Sequence, residues 1–135
     1  MSTEKNIVQT QNLFTAFGAG DVPSILTFLN DDIRIEFYGP EEIIPYAGMY
    51  DGKKEAARFF ETVLSSVEIH VFEPEEFLAD KDKVVVTGNL HLTARSTGRQ
   101  IKSDFVHVIT MKDGRWSKFR DFMNTVSAAE AFTAK

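Results

Sequence analysis

The sequence contains no cysteine, which excludes disulfides, thiolate nucleophiles and thiolate-bound zinc and leaves hydroxyl, imidazole and carboxylate groups as the available chemistry. Positive charge is in deficit, with 15 Lys and Arg against 20 Asp and Glu for a net charge of -5. Such a balance offers no electrostatic footprint for a nucleic-acid backbone or an anionic bilayer. No apolar run approaches the roughly 20 residues that span a membrane, and the N-terminal MSTEKNIVQTQN lacks the apolar stretch of a secretory signal. The expectation is a cytoplasmic protein with neither nucleic acid nor membrane as partner. Glycine-rich phosphate loops and nucleophile elbows are also missing, which argues against nucleotide cofactors and serine-hydrolase chemistry. His70, His91 and His107 fall on separate segments without carboxylates at metal-ligand spacing, so no metal or other cofactor is expected.

What the chain has in excess is phenylalanine, 12 residues in 135. Rings in that number suit a thick aromatic core or an apolar pocket. The length fits one domain, and no repeat, low-complexity tract or Pro/Gly/Ser-rich linker divides it, so residues 1–135 are read as a single domain.

Hydrophobic spacing predicts a first helix from about Thr3 to Ala19, carrying Ile7, Leu13, Phe14 and Phe17 and stopping at Gly18 and Gly20. Asp21 as N-cap and Pro23 in the first turn predict a short second helix through Ile25, Leu26, Phe28 and Leu29, ending at Asn30. Ile33, Ile35 and Phe37 alternate with polar neighbours as in a strand with one buried face. A loop rich in Gly and Pro follows, and a third helix from about Gly52 to Ser66 carries Ala56, Phe59, Phe60, Val63 and Leu64. Four strands, about 67–78, 83–96, 99–111 and 115–123, are punctuated by Lys81-Asp82, Thr97-Gly98 and Asp113-Gly114. The Ala-rich tail from Val126 to Phe132 has the composition of a short helix. Helices first and a meander after is an α+β order with an antiparallel sheet.

Strand register decides where the polar residues point. A tight turn at Thr97-Gly98 pairs Leu90 with Phe105 and Gly88 with His107, and a loop of Lys112-Asp113-Gly114 sets His107 opposite Phe119. One face then carries Gly88, Leu90, Leu92, Ser103, Phe105, His107, Ile109, Phe119, Asp121 and Met123, apolar enough to be the face the helices cover. His107 and Asp121 become diagonal neighbours on it. The other face carries Val106, Val108, Trp116 and Phe122 among charges, too apolar for open solvent, and predicts a homodimer anchored by Trp116.

Asp121 and His107 are therefore the candidate catalytic residues. A carboxylate on a covered apolar face suits general acid/base work, and an imidazole beside it suits donation to a developing oxyanion or orientation of the acid. The structural alternatives are a solvated rim carboxylate and a satisfied core histidine. Tyr46, in the Pro45-Tyr46-Ala47-Gly48 turn, is a candidate hydroxyl donor over the pocket mouth. Phe14, Phe17, Phe37, Phe59, Phe60, Leu90, Ser103, Phe105 and Phe119 are the candidate substrate-binding wall, with a small, largely apolar molecule as ligand.

Three segments, LFTAFGAGDVPSILTFLNDDI, IPYAGMYDGKKEAARFF and VHVITMKDGRWSKFRDFMNT, resemble the cone-shaped fold of nuclear transport factor 2 and ketosteroid isomerase, and specifically the SnoaL-like polyketide cyclases. The resemblance implies three helices of the N-terminal half covering the concave face of a curved sheet. It also separates the chemistries that share this fold. The tyrosine and two aspartates of ketosteroid isomerase correspond to Leu13, Phe37 and His107. Limonene epoxide hydrolases share an aspartate at Asp121, but their partner Arg and Asp correspond to Gly88 and Leu90. SnoaL-like cyclases place an aspartate at Asp121 and a histidine near His107, and both are present. The resemblance implies cofactor-independent proton abstraction beside a carbonyl, of isomerase, cyclase or aldol type. The alternative is a non-catalytic small-molecule-binding or accessory protein of the same fold.

Overall fold

The structure, a computed structural model, describes residues 2–133. Helix α1 (Thr3–Gly18) starts where the Ser2 hydroxyl accepts from the Lys5 N–H at 3.2 Å. Helix α2 (Val22–Leu26) starts at Asp21, whose carboxylate accepts from the backbone and hydroxyl of Ser24, with Pro23 in the first turn. Both caps satisfy N–H groups that a helix start leaves free.

The second helix was expected to run to Asn30, yet Leu29 already opens strand β1 (Leu29–Phe37). Long-range bonds take over there: the Trp116 N–H donates to the Phe28 carbonyl at 2.9 Å, and the Asn30 amide donates to the Lys112 carbonyl at 2.9 Å. Strand β2 (Gly48–Asp51), absent from the sequence reading, folds back on β1, and α3 (Gly52–Ser66) follows it directly. The meander β3 (Val67–Asp80), β4 (Lys83–Ala94), β5 (Gln100–Lys112) and β6 (Arg115–Met123) leads to α4 (Thr125–Phe132), capped by Asn124.

The six strands form one curved sheet in the order β2-β1-β6-β5-β4-β3. It is mixed rather than wholly antiparallel, because β1 lies parallel to β6. Local patterning marks a strand but not a partner some eighty residues away. Helices α1, α2 and α3 cover the concave face. Among the described residues no helix is long and apolar enough to cross a membrane.

Both expected hairpin registers differ by two residues. The β4–β5 connection is the longer Arg95-Ser96-Thr97-Gly98, with the Ala94 N–H bonded to the Arg99 carbonyl, so Gly88 pairs with Phe105 and Val86 with His107. His91 faces Lys102. The β5–β6 connection is the tight turn Asp113-Gly114, both at positive φ, followed by a bulge at Thr110/Met111, and it places His107 directly opposite Asp121. A shift of two preserves the face of every side chain, so the inward set survives.

Trp116 is the exception. The bulge adds one residue before the regular ladder and turns the indole inward, where Trp116 is 1% exposed and donates to the Thr10 hydroxyl at 3.2 Å. Thr10 in turn donates to the Asn6 carbonyl at 2.9 Å. The expected dimer anchor is thus a core residue that ties β6 to α1.

Gly88 shows how tightly the sheet closes. A Cβ there would stand 2.2 Å from the Glu73 carbonyl oxygen and 2.6 Å from the Phe105 ring. Neither can retreat: one is backbone of a paired strand, and the other is stacked on Phe72 at 4.9 Å. Gly88→Ala is expected to destabilise the protein by about 1–3 kcal/mol or more, measured as a lower urea midpoint at unchanged m.

Candidate active site

His107 and Asp121 face each other across β5 and β6 on the concave side, with His107 Nε2 3.3 Å from Asp121 Oδ1. That contact is within ion-pair range but lacks the alignment of a linear hydrogen bond. Four rings wall the imidazole: Phe105 at 4.4 Å, Phe119 at 4.8 Å, Phe14 at 5.7 Å and Phe72 at 6.0 Å between centroids. His107 Nδ1 is buried without a hydrogen-bond partner. Among the described residues, Asp121 likewise accepts no side-chain or backbone hydrogen bond, and its side chain retains 16% exposure.

Tyr46 joins them from the β1–β2 loop. Bonds from Ile44 N–H to the Pro40 carbonyl and from Ala47 N–H to the Ile44 carbonyl coil that loop, while the Tyr50 hydroxyl donates to the Tyr46 carbonyl at 3.0 Å. The Tyr46 ring packs edge-on against Phe37 at 4.9 Å and Phe132 at 5.8 Å. Its phenol is pushed well above the usual range, chiefly by burial and further by the negative charge of Asp121. A buried phenol so held stays protonated and is available as a donor.

These three groups border a partly open cavity of about 70 Å³, lined among others by Phe14, Phe17, Phe37, Phe59, Phe60, Leu90 and Phe119. Of the residues expected on this wall, two are elsewhere. The Ser103 hydroxyl donates to the Asp104 carbonyl and accepts from the Asn124 N–H, so it fixes the start of α4. Phe105 is 1% exposed beneath Phe72 and His107, supporting the site without bordering it. The sequence reading missed Leu13, Val63, Ile69, Phe72 and Trp116 as lining residues. Helical spacing marked Leu13 and Val63 as inward, but a bulge at Ile69/Val71 hid the phase of β3, and the β6 bulge hid Trp116.

The sequence matches the SnoaL-like domain family over residues 10–119. The chain belongs to that family. The SnoaL-like protein is similar over 98% of its length to a nuclear transport factor 2-like protein from Burkholderia xenovorans LB400, with 99% of that chain covered, 30% identity and a TM-score of 0.90. It is also similar to TerC, co-crystallised with polyporic acid, at 25% identity and TM-score 0.82, covering 96% of this chain and 99% of that one. A SnoaL-like polyketide cyclase candidate from Jannaschia sp. CCS1 shares the fold at TM-score 0.80 and 18% identity, covering 98% and 94%. No curated protein sequence is measurably similar to this SnoaL-like chain.

The raised phenol of Tyr46 has a consequence for stability. An unfolded tyrosine ionises near pH 10, whereas the folded one resists, so the stabilisation is complete below about pH 10 and falls as pH rises beyond it. Tyr50, raised in the same direction by burial, adds to the loss. Tyr46→Phe should flatten the alkaline decline in urea-unfolding free energy between about pH 9 and 11.5 while Tyr50 retains its share.

Proposed function

We propose that this protein is a cofactor-independent enzyme that moves a proton beside the carbonyl of a small, largely apolar compound. Asp121 is the general acid/base, and Tyr46 and His107 are the donors to the developing oxyanion. The observation that carries the reading is a carboxylate with no hydrogen bond spent on it among the described residues, set in an otherwise apolar cavity between a protonated phenol and an imidazole.

In this reading the Asp121 carboxylate takes a proton from the carbon next to the carbonyl, and the electron pair moves onto the carbonyl oxygen as an enolate. The Tyr46 hydroxyl and the Nε2 face of His107 are the groups placed to donate to that oxygen, in a setting poor in water where such bonds count most. Return of the proton to another carbon gives isomerisation. Attack of the enolate carbon on a second carbonyl of the same molecule, whose oxygen takes the proton back from Asp121, gives an aldol closure. The surrounding phenylalanines contribute shape and exclusion of water rather than chemistry. Family membership and the cyclase and TerC likenesses support the substrate class without naming the substrate.

Asp121→Asn tests the role directly. Turnover of a cyclisable dicarbonyl or an isomerisable enone should fall by about 10²–10⁴-fold while ligand affinity changes little. An unchanged rate removes the acid/base role, and an effect confined to affinity identifies a binding protein.

We also infer that the convex face of the sheet receives a second copy of the chain. Val106 is 37% and Tyr38 42% exposed there, Phe122 pairs with Val106 and stacks on Tyr38 at 5.0 Å, and Val108 follows two residues along β5, opposite Arg120. The charges on this face are segregated. Arg34, Lys118 and Arg120 gather round Glu36 on β1 and β6, whereas Glu68, Glu73 and Glu76 lie along β3. A two-fold partner sets one half against the other. Light scattering at micromolar concentration is expected to give twice the chain mass, and Val106→Glu to give the monomer; a monomeric wild type removes the inference.

A further inference from the structure

The cavity has a neighbour. Between the C-terminal half of α1 and β3 lies an open groove of about 660 Å³ that shares Phe14, Phe17, Val67, Ile69 and Phe72 with the cavity wall. The groove is floored by apolar side chains, Leu64, Pro74 and Phe77 among them, with Gln11 and Thr15 as polar additions. Among the described residues, its only ionisable lining residue is Arg95. The Arg95 backbone is pinned by its N–H to the Ser66 carbonyl at 2.9 Å, yet among the described residues its exposed side chain enters no ion pair and no hydrogen bond.

We propose that this groove takes an amphiphilic carboxylate, with the anionic end on Arg95 and the apolar body passing the rings of Phe14, Phe17 and Phe72 into the cavity. The inference rests on the reading of the cavity as the reaction site and names the class of molecule that reaches it.

Size argues for it first. A cavity of about 70 Å³ holds a short apolar segment, well below the ~300 Å³ of an ordinary ligand site, so a ligand engaging Asp121 must extend beyond it. The shared wall is the way in. Phe72 meets Phe14 edge-on at 5.3 Å and Phe17 at 5.4 Å, and all three are only half-buried, so their rings can turn without unpacking the core.

Charge argues for it second. The protein as a whole is negative at -5, which gives no general attraction for anions. An unpaired guanidinium at the end of a groove otherwise free of charge therefore selects a carboxylate locally, through its paired donors. With the bulge at Ile69/Val71, the run from Val67, beside Arg95, to Phe72 spans four residues of β4, Ala94 to Leu90, about 13 Å at roughly 3.3 Å each. That spacing suits a molecule whose carboxylate and reacting end are separated by around ten atoms.

Trp116 supplies the readout, since it is the single tryptophan, borders the cavity and stands 5.9 Å from Phe14. Decanoate and 1-decanol are titrated separately against the full chain at low ionic strength, below their aggregation limits, with Trp116 emission recorded. Decanoate is expected to bind about fivefold or more tightly than decanol, with the preference lost in Arg95→Gln and kept in Lys54→Gln, an exposed charge at the far end of α3. Equal affinities in the wild type, a preference that survives Arg95→Gln, or no change in Trp116 emission with either probe each overturns the proposal. The proton-transfer reading is judged separately by turnover in Asp121→Asn, so the failure of one is not mistaken for failure of the other.

Discussion

The arrangement depends on one strand pairing, β5 against β6, in the register that sets His107 opposite Asp121. Side chains alternate faces along a strand, so a slip of one residue between the two strands would leave one of these groups on the concave side and send the other to the convex surface. Three features hold the register. The Asp113-Gly114 turn takes the positive φ at both positions that a tight hairpin requires. The bulge at Thr110/Met111 absorbs the extra residue. The Trp116 indole, fully buried and bonded to Thr10, ties the bulged end of β6 to α1.

The site is built against the grain of the core around it. A close-packed apolar interior leaves polar atoms without partners, and Nδ1 of His107 shows it, beside an Asp121 carboxylate that is only partly buried. Unpaired buried polar groups cost stability, and their persistence beside a cavity is what distinguishes this cluster from ordinary packing. Glu36 on the opposite face is the contrast. It is more buried than Asp121, but Tyr38 donates to it and Arg34, Lys118 and Arg120 surround it, so hydrogen bonding and positive charge hold its carboxyl below the usual range. A carboxylate so fully engaged has no capacity left for a substrate.

Much of this was legible from residues. The Asp21 cap with Pro23, the stripe of Phe59, Phe60 and Val63 on α3, and the alternation through Val106, His107 and Val108 each follow from local pattern, and each element begins within a residue of where that pattern put it. The pairing of Asp121 with His107 on one face was legible even with both turns misjudged, because both errors were of two residues. The parallel contact between β1 and β6, the short strand β2 and the inward turn of Trp116 were not legible. A parallel partner is chosen by packing across the whole sheet, four residues carry too little pattern to mark a strand, and a bulge reverses the alternation from which a face is read.

The sequence by itself determined the family, the α+β order of elements, the absence of cysteine chemistry and the inward side of the meander, because these rest on composition and on periods of two and 3.6 residues. Only the tertiary structure decided the rest. It brought Tyr46 from a loop to the side of Asp121, withdrew Ser103 and Phe105 from the wall, buried Trp116, and laid Arg95 along an apolar groove. Those outcomes depend on contacts between segments far apart in the chain, whose energies are set by shape and by which buried groups find partners, and no local pattern encodes them.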